Sequence, residues 1–557
     1  MNSHRAARPR LLPAALAAGG LLLATACQGN GEPSGERAAA PSAASAPASS
    51  SPATAPAAAP TPTPTVRPKG AEDPALKPFY GQRITWAACP PDPAAAERKT
   101  DLSAMRCGRL RVPLDYTDAS GETLELALIK NPAARQDQRL GSLMVNPGGP
   151  GASGIQMVKD FDKAFRGALH DRYDVVGFDP RGTGESSPVA CLDDRQRDAV
   201  NAADEPADPQ AAKAQAEKQN ADFIAACQAR SGRLLPFVGT RNTARDLDVL
   251  RAAVGDPKLN YLGVSYGTYL GAVYAEEFPA TTGRLVLDGA VDPSANRVDG
   301  VVDQVIGFDR SFQRFAADCV EKHAAECPLG KDPAKAAGKA ADFLEGLREK
   351  PLPTESGRGL GTKLAWTGVD RLLYGDQKTA WQYLRYSLAQ AMTTGRGDYL
   401  LAYADDYNGR DAKGHYSSQE DAFNAVRCAD GVPAPSAEEA QRAVQRIHEG
   451  APVRGGRITV DDLYDSACPA WPVKPAEQPH TIRAEGAAPI LVVGTTGDPA
   501  TPYAAAEALA KGFADATLLT LQGEGHGAFG AENGCIDAAL AAYLTEGTLP
   551  AAGTRCS

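Results

Sequence analysis

Gly263-Val264-Ser265-Tyr266-Gly267 lies between an apolar run, Leu259 to Leu262, and a helix-forming stretch, Thr268 to Glu277. Glycines two residues either side of a serine, at a strand-to-helix junction, give the nucleophile-elbow pattern: they leave room for a sharp turn that lifts the hydroxyl clear of the sheet. That hydroxyl is a weak nucleophile until a base takes its proton, and the chain has seven histidines. His4 sits at the extreme N-terminus, and His170, His323, His415, His448 and His480 fall in ordinary helical or loop contexts. His526 differs: it lies in Gly523-Glu524-Gly525-His526-Gly527, directly after the last apolar run, where small neighbours let an imidazole approach a serine. An acid must then fix the imidazole tautomer and stabilise the imidazolium. Asp498, in Gly494-Thr495-Thr496-Gly497-Asp498-Pro499, follows the run Ile490 to Val493. Asp288 and Asp292, after the run ending at Leu287, are the rival acids. The chemistry implied by Ser265, Asp498 and His526 is acyl transfer.

Asn146-Pro147-Gly148-Gly149-Pro150-Gly151 follows the run Ser142 to Val145. Its glycines allow the Gly149 N–H to face a developing oxyanion, with the Tyr266 N–H as second donor. The same segment carries a rival pattern. Gly149, Gly151 and Gly154 match a dinucleotide-binding fingerprint, with Asp179 after the next strand, which would imply a nicotinamide or flavin oxidoreductase. Pro150 removes a donor from that loop, and this reading leaves the serine, acid and histidine unexplained.

These residues need a frame. Arg109–Tyr116 and Thr123–Lys130 read as a hairpin around Asp118-Ala119-Ser120-Gly121. Short apolar runs at Ser142–Asn146, Asp174–Phe178, Leu259–Val264, Gly283–Leu287, Pro489–Val493 and Ala516–Leu521 read as buried strands. Helix-length segments lie between most of them; in Thr243–Val254, Leu247, Leu250 and Val254 share one helical face. The expectation is an α/β fold with a mainly parallel sheet. From about Asp292 to Lys474 the alternation gives way to helical patterning, with Phe308, Phe312 and Phe315 in one stripe. An insertion there suits a cap over the carboxyl edge of the sheet, where open α/β sheets bind ligands. The expected organisation is an export signal at 1–26, a stalk at 27–78, a core at 79–291, a helical cap at 292–474 and the rest of the core at 475–557.

Composition bounds the setting. The 557 residues carry 58 Lys plus Arg against 68 Asp plus Glu, a formal charge of −10, and no long basic run, which argues against nucleic-acid binding. Arg5, Arg8 and Arg10 precede a short apolar stretch, Leu11 to Ala26, which reads as a signal peptide. Leu23-Ala24-Thr25-Ala26-Cys27 matches a lipobox, making Cys27 the expected lipidated residue. From Gln28 to about Pro68, Ala, Pro, Ser, Thr and Gly dominate, a composition that cannot offset its ordering entropy. Apart from Cys27 there are ten cysteines: Cys89, Cys107, Cys191, Cys227, Cys319, Cys327, Cys428, Cys468, Cys535 and Cys556. An even number in an exported chain suggests disulfides; sequence leaves their connectivity open, and the expectation taken forward is five sequential bridges beginning with Cys89–Cys107. No Cys-x-x-Cys or His-Glu-x-x-His occurs, so no zinc site is expected.

Together, Asn146-Pro147-Gly148-Gly149-Pro150-Gly151, Asp179-Pro180-Arg181-Gly182-Thr183-Gly184, Gly263-Val264-Ser265-Tyr266-Gly267, Gly497-Asp498-Pro499 and Gly525-His526 resemble the α/β-hydrolase peptidases. Most similar is the bacterial tripeptidyl aminopeptidase group, which includes secreted lipoprotein proteases and is related to the prolyl iminopeptidases. The resemblance covers roughly residues 80 to 557. It implies an α/β-hydrolase fold with a cap, release of short peptides from free N-termini, peptide partners, a cell-surface lipoprotein and no cofactor. Prolyl iminopeptidases carry His before the Gly-Gly-Pro-Gly run, where this chain has Pro147, so proline specificity is not implied. Asp179 and Arg181 are expected to brace the loop beneath the site. An aminopeptidase must also hold the substrate ammonium, for which Glu185, Asp405, Asp406 and Asp430 are the proposed carboxylates. An esterase or lipase on the same triad is the alternative, since fold and triad do not separate amides from esters.

Overall fold

The computed structural model describes residues 68–557 except 93–94, 96–99, 161–163, 166, 432–434, 465–467 and 474–477. The expected signal peptide, Cys27 and most of the stalk lie outside the described residues. One boundary needs correction. The packed chain starts before Phe79: Gly70–Glu72 and Pro74–Leu76 form short 3₁₀ turns, Leu76 is buried, and the Tyr80 hydroxyl donates to Asp248 at 2.7 Å. Leu76, Phe79 and Tyr80 supply the apolar surface that the preceding stretch lacks.

Ten strands form one sheet in the order β1-β2-β3-β5-β4-β6-β7-β8-β9-β10. They are β1 Ala87–Ala88, β2 Arg106–Pro113, β3 Thr123–Asn131, β4 Gly141–Asn146, β5 Tyr173–Phe178, β6 Leu259–Val264, β7 Thr282–Asp288, β8 Ile490–Gly497, β9 Ala516–Glu524 and β10 Arg555–Cys556. The expected hairpin is β2–β3, and it joins the sheet antiparallel to β5. From β5 through β4 and on to β10 every pairing is parallel. Every residue of β4 and β5 is buried, because helices cover both faces of the sheet. That is why these strands read as continuous apolar runs rather than alternating ones.

The order places β4 between β5 and β6, so the chain reverses direction of travel across the sheet after β5. Neighbouring connections there leave the sheet on opposite sides and open a crevice at the carboxyl ends. Asn146, the last residue of β4, is in register with Gly263. The glycine loop and the serine turn therefore emerge side by side.

Between β7 and β8 the chain forms a largely helical insertion, beginning with the helix Arg297–Lys322. It has its own core, in which Phe308, Phe312 and Phe315 pack with Trp381 and Leu384. Phe312 and Trp366 meet edge to face with centroids 5.2 Å apart, as do Phe315 and Trp381 at 5.8 Å.

Five disulfides join Cys89–Cys107, Cys191–Cys227, Cys319–Cys327, Cys428–Cys468 and Cys535–Cys556, the sequential pairing expected. Such a set belongs to an oxidising compartment outside the cytoplasm. Among the described residues, no helix is long and apolar enough to cross a membrane. Non-reduced peptide mapping should recover these five linkages and no other. The Cys428–Cys468 bridge closes a 40-residue separation, and losing it should cost about 3–4 kcal/mol, read as a fall in Tm for Cys428→Ser/Cys468→Ser.

Candidate active site

The serine turn is built by close packing. Ser265 has φ 57° and ψ −126°, outside the regions favoured by residues with a Cβ. A Cβ on Gly263 would stand 2.3 Å from the Gly267 carbonyl oxygen, and one on Gly267 2.7 Å from that of Asn146, so both flanking glycines are required by contact. The Ser265 N–H donates to the Asp288 carbonyl at 2.9 Å. Below it, the Thr268 hydroxyl and N–H both donate to the Ser265 carbonyl, at 2.6 and 2.8 Å. Tyr266 begins the helix that runs to Glu277, and its N–H, in the first turn, has no acceptor within the helix.

The glycine loop after β4 lies against this turn. A Cβ on Gly148 would stand 2.4 Å from the Val264 oxygen, 2.9 Å from the Ser265 Cβ and 3.0 Å from the Tyr266 nitrogen. Gly148, Gly149 and Gly151 all have positive φ, between 94° and 103°. The Asn146 side chain accepts the Gly148 N–H at 2.9 Å and anchors the loop at its start. The chain after Gly148 thus passes directly beside Ser265, as the proposed Gly149 and Tyr266 donor pair requires.

His526 follows β9 and is 3% exposed; Asp498 follows β8 and is 5% exposed. Nδ1 of His526 lies 2.9 Å from both carboxylate oxygens of Asp498. The Thr501 hydroxyl is 3.1 Å from Asp498 Oδ2 and 3.2 Å from the same Nδ1. Asp498 also accepts the Ala500 and Thr501 N–H groups at 2.9 Å and the Gly527 N–H at 3.1 Å. Nε2 of His526 is buried and makes no hydrogen bond. With Nδ1 committed to Asp498, Nε2 is the nitrogen left to receive a proton. Burial pulls the imidazole pKa down, but the charges of Asp498 and Asp288 outweigh it and the net shift is upward from the ordinary 6.5.

The two rival acids have other roles. Asp288, at the end of β7, accepts the N–H groups of Ala528 (2.8 Å) and Phe529 (2.7 Å) and so fixes the segment just beyond His526. Burial pushes its pKa up to about 6. Asp292 accepts the N–H and hydroxyl of Ser294 at 2.8 and 2.7 Å, a local turn away from the imidazole. Sequence reasoning missed Tyr374, which the insertion contributes: its carbonyl accepts the His526 N–H at 2.8 Å, and its ring meets the imidazole edge to face at 5.3 Å. No local pattern marks Tyr374, and only the folded insertion brings it here.

Asp179 and Arg181 brace the loops, as expected. Asp179 accepts the Ser153 hydroxyl at 2.5 Å and the Glu185 N–H at 2.8 Å. Arg181 is fully buried; it pairs with Asp246 at 2.6 Å and donates to the carbonyls of Pro113, Leu114 and Phe237. Both oxygens of Asp179 are therefore engaged within the protein, which removes the ribose-binding acid the dinucleotide pattern needs. Gly154 serves helix packing: a Cβ there would stand 2.2 Å from the Phe178 oxygen.

Three of the four acids expected to hold an ammonium group are already neutralised. Glu185 pairs with Arg109 at 2.8 Å and is largely exposed. Asp405 pairs with Arg358 at 2.7 Å, and Asp406 with Arg371 at 2.6 Å. Sequence shows an acid but not its distant partner. Asp430 is different: its oxygens accept the Thr240 N–H and hydroxyl, each at 2.5 Å, and the Thr240 hydroxyl also contacts the Tyr266 hydroxyl at 2.5 Å. Burial pushes the Asp430 carboxyl up to about 6.

A parallel α/β sheet with a serine turn at its switch point and a buried acid–histidine pair beside it defines a serine hydrolase of the α/β-hydrolase class. Comparison with known proteins narrows this. The chain is 38% identical over 500 residues to serine protease Hip1 of Mycobacterium tuberculosis, covering 88% of this chain and 94% of the relative. It is 39% identical over 498 residues to carboxylesterase B of the same species, covering 88% and 92%. It is 32% identical over 462 residues to tripeptidyl aminopeptidase of Streptomyces lividans, covering 81% and 84%. The family model described as TAP-like protein matches residues 457–556. The chain belongs to the tripeptidyl aminopeptidase group of α/β-hydrolase serine peptidases.

The two acids beside His526 are separable. Asp498→Asn should lower kcat by roughly 10⁴-fold by favouring the wrong tautomer. Asp288→Asn should retain far more activity and move the acidic limb of the kcat/KM–pH profile to lower pH. The sign follows because removing a negative neighbour lowers the imidazole pKa, so the neutral base persists further into acid.

Proposed function

We propose that the protein is an exported aminopeptidase that releases short peptides, tripeptides foremost, from free N-termini, with Ser265, His526 and Asp498 as its triad. Ser265 attacks the peptide carbonyl while His526 Nε2 takes its proton; the tetrahedral oxyanion is held by the N–H groups of Gly149 and Tyr266. His526 then donates the proton to the leaving amine, and water activated by the same imidazole hydrolyses the acyl-enzyme. A donor at the oxyanion position is worth about 10²–10³ in kcat. Asp498 holds the tautomer and balances the imidazolium.

The observation that carries exopeptidase action is Asp430. Of the four acids considered, it alone has no basic partner within ion-pair distance among the described residues, and it reaches Tyr266 through a single hydroxyl. Thr240 fills one acceptor site on each oxygen and leaves a further lone pair on each. Together these make an anchor for a substrate ammonium, linked through Thr240 to Tyr266, the residue next to the nucleophile. The relative named tripeptidyl aminopeptidase supports release of three residues, and the one named carboxylesterase B keeps the esterase reading alive. The Arg5–Ala26 segment with Cys27 supports export as a surface lipoprotein, and the five disulfides agree with that compartment.

Chromogenic substrates of one, two and three residues, with free and blocked N-termini, test the reading. The free three-residue substrate should be cleaved fastest. Asp430→Asn should reduce the free-to-blocked ratio of kcat/KM by about 10- to 100-fold. In the wild type the preference should also fade below about pH 6 as Asp430 is protonated. Equal rates on blocked substrates, or hydrolysis of simple esters alone, would favour an endopeptidase or an esterase.

A further inference from the structure

A cavity of about 370 Å³ lies between the insertion and the helical segment 192–223 that precedes β6, within the size range of ligand pockets, roughly 300–1,000 Å³. Two aromatic rings link its wall to the triad. Tyr407 lines it and meets Tyr374 edge to face at 6.1 Å, and Tyr374 meets His526 at 5.3 Å. On its other side the wall residue Phe423 abuts the glycine loop: a Cβ on Gly151 would stand 3.0 Å from the Phe423 nitrogen.

Several charges in this wall cancel one another. Glu420 pairs with Arg197 at 2.8 Å and Asp370 with Arg454 at 2.5 Å. Arg427 has no such partner. It follows Phe423 by one helical turn, and its guanidinium lies 4.7 Å from that ring's centroid. Among the described residues it makes no hydrogen bond and no ion pair. Burial alone pulls its pKa down to about 10, still leaving a full charge at neutral pH. Five N–H donors in a planar fork therefore border this cavity without a protein acceptor among the described residues, a half-buried cation placed to gain from meeting an anion. The fork matches a carboxylate through two parallel hydrogen bonds.

We infer that this cavity is a side-chain subsite for the peptide substrate, and that Arg427 selects an acidic side chain there. The inference rests on the peptidase reading above and adds a specificity to it. A glutamine has almost the shape of a glutamate but lacks the charge, so the pair isolates the contribution of Arg427.

Free-N-terminus tripeptide anilides carrying Glu, Gln or Ala at each position in turn provide the test, with the whole enzyme. At one position kcat/KM for Glu should exceed that for Gln by about 10- to 100-fold, and the ratio should narrow with added salt. Arg427→Gln should collapse the ratio to within about threefold, while Arg427→Lys keeps part of it, because an ammonium retains charge but not the fork. Each ratio is internal to one enzyme preparation, so a loss of folded protein does not imitate the effect. Equal kcat/KM for Glu and Gln at every position, or a Glu preference that survives Arg427→Gln, overturns the assignment. Cleavage of the all-Ala substrate without any Glu preference ends this inference alone; failure to cleave any peptide ends the peptidase reading with it.

Discussion

Ser265 is held at φ 57° by its surroundings, and the rest of the site depends on that constraint. A side-chain-bearing residue in such a conformation costs about 1–3 kcal/mol and persists only where neighbouring contacts dictate it. Here they do so from three directions. β7 offers the Asp288 carbonyl to the serine N–H, Thr268 twice grips the serine carbonyl, and the Gly148 backbone fills the space beside the Cβ. The strain lifts the hydroxyl off the sheet and leaves the Tyr266 N–H at the start of a helix, where donors are unsatisfied by construction. In the proposed mechanism, one local distortion thus positions both the attacking oxygen and a donor for the charge it creates.

The buried acid–histidine pair poses the opposite problem, since a charge enclosed in protein must be met by partners. Asp498 has them in Ala500, Thr501, Gly527 and Nδ1 of His526. Asp288, one strand nearer the serine, spends its carboxylate on the chain just past His526 and its carbonyl on Ser265. It therefore ties nucleophile to base through the backbone without taking the imidazole proton. The insertion completes the support by giving the Tyr374 carbonyl and ring to His526. Insertion and imidazole are thus tied by one backbone hydrogen bond and one ring contact.

Much of this was legible in the residues. Six parallel strands announced themselves as short apolar runs, because a sheet largely covered on both faces needs no polar alternation. The serine turn was legible because its glycines are demanded by contacts under 3 Å. Asp498 and His526 were legible because each follows a strand among small residues. What stayed hidden depends on distance along the chain. Tyr374 approaches His526 across about 150 residues of sequence, and Arg109 neutralises Glu185 from 76 residues away. Composition suggested a stalk to about Pro68 and a folded start near Phe79; yet Leu76 packs with Phe79 and Tyr80 and docks the turns just before Phe79 on the core. A few apolar side chains with a place to go outweigh a polar, proline-rich average.

The central claim is that Ser265 is the nucleophile, activated by His526. The most direct measurement is mass-spectrometric mapping of the adduct formed with a fluorophosphonate. The account predicts one modified peptide, the one containing Ser265, with no labelling of the Ser265→Ala enzyme and strongly slowed labelling of His526→Ala. An adduct on any other residue, or undiminished labelling of Ser265→Ala, would contradict it.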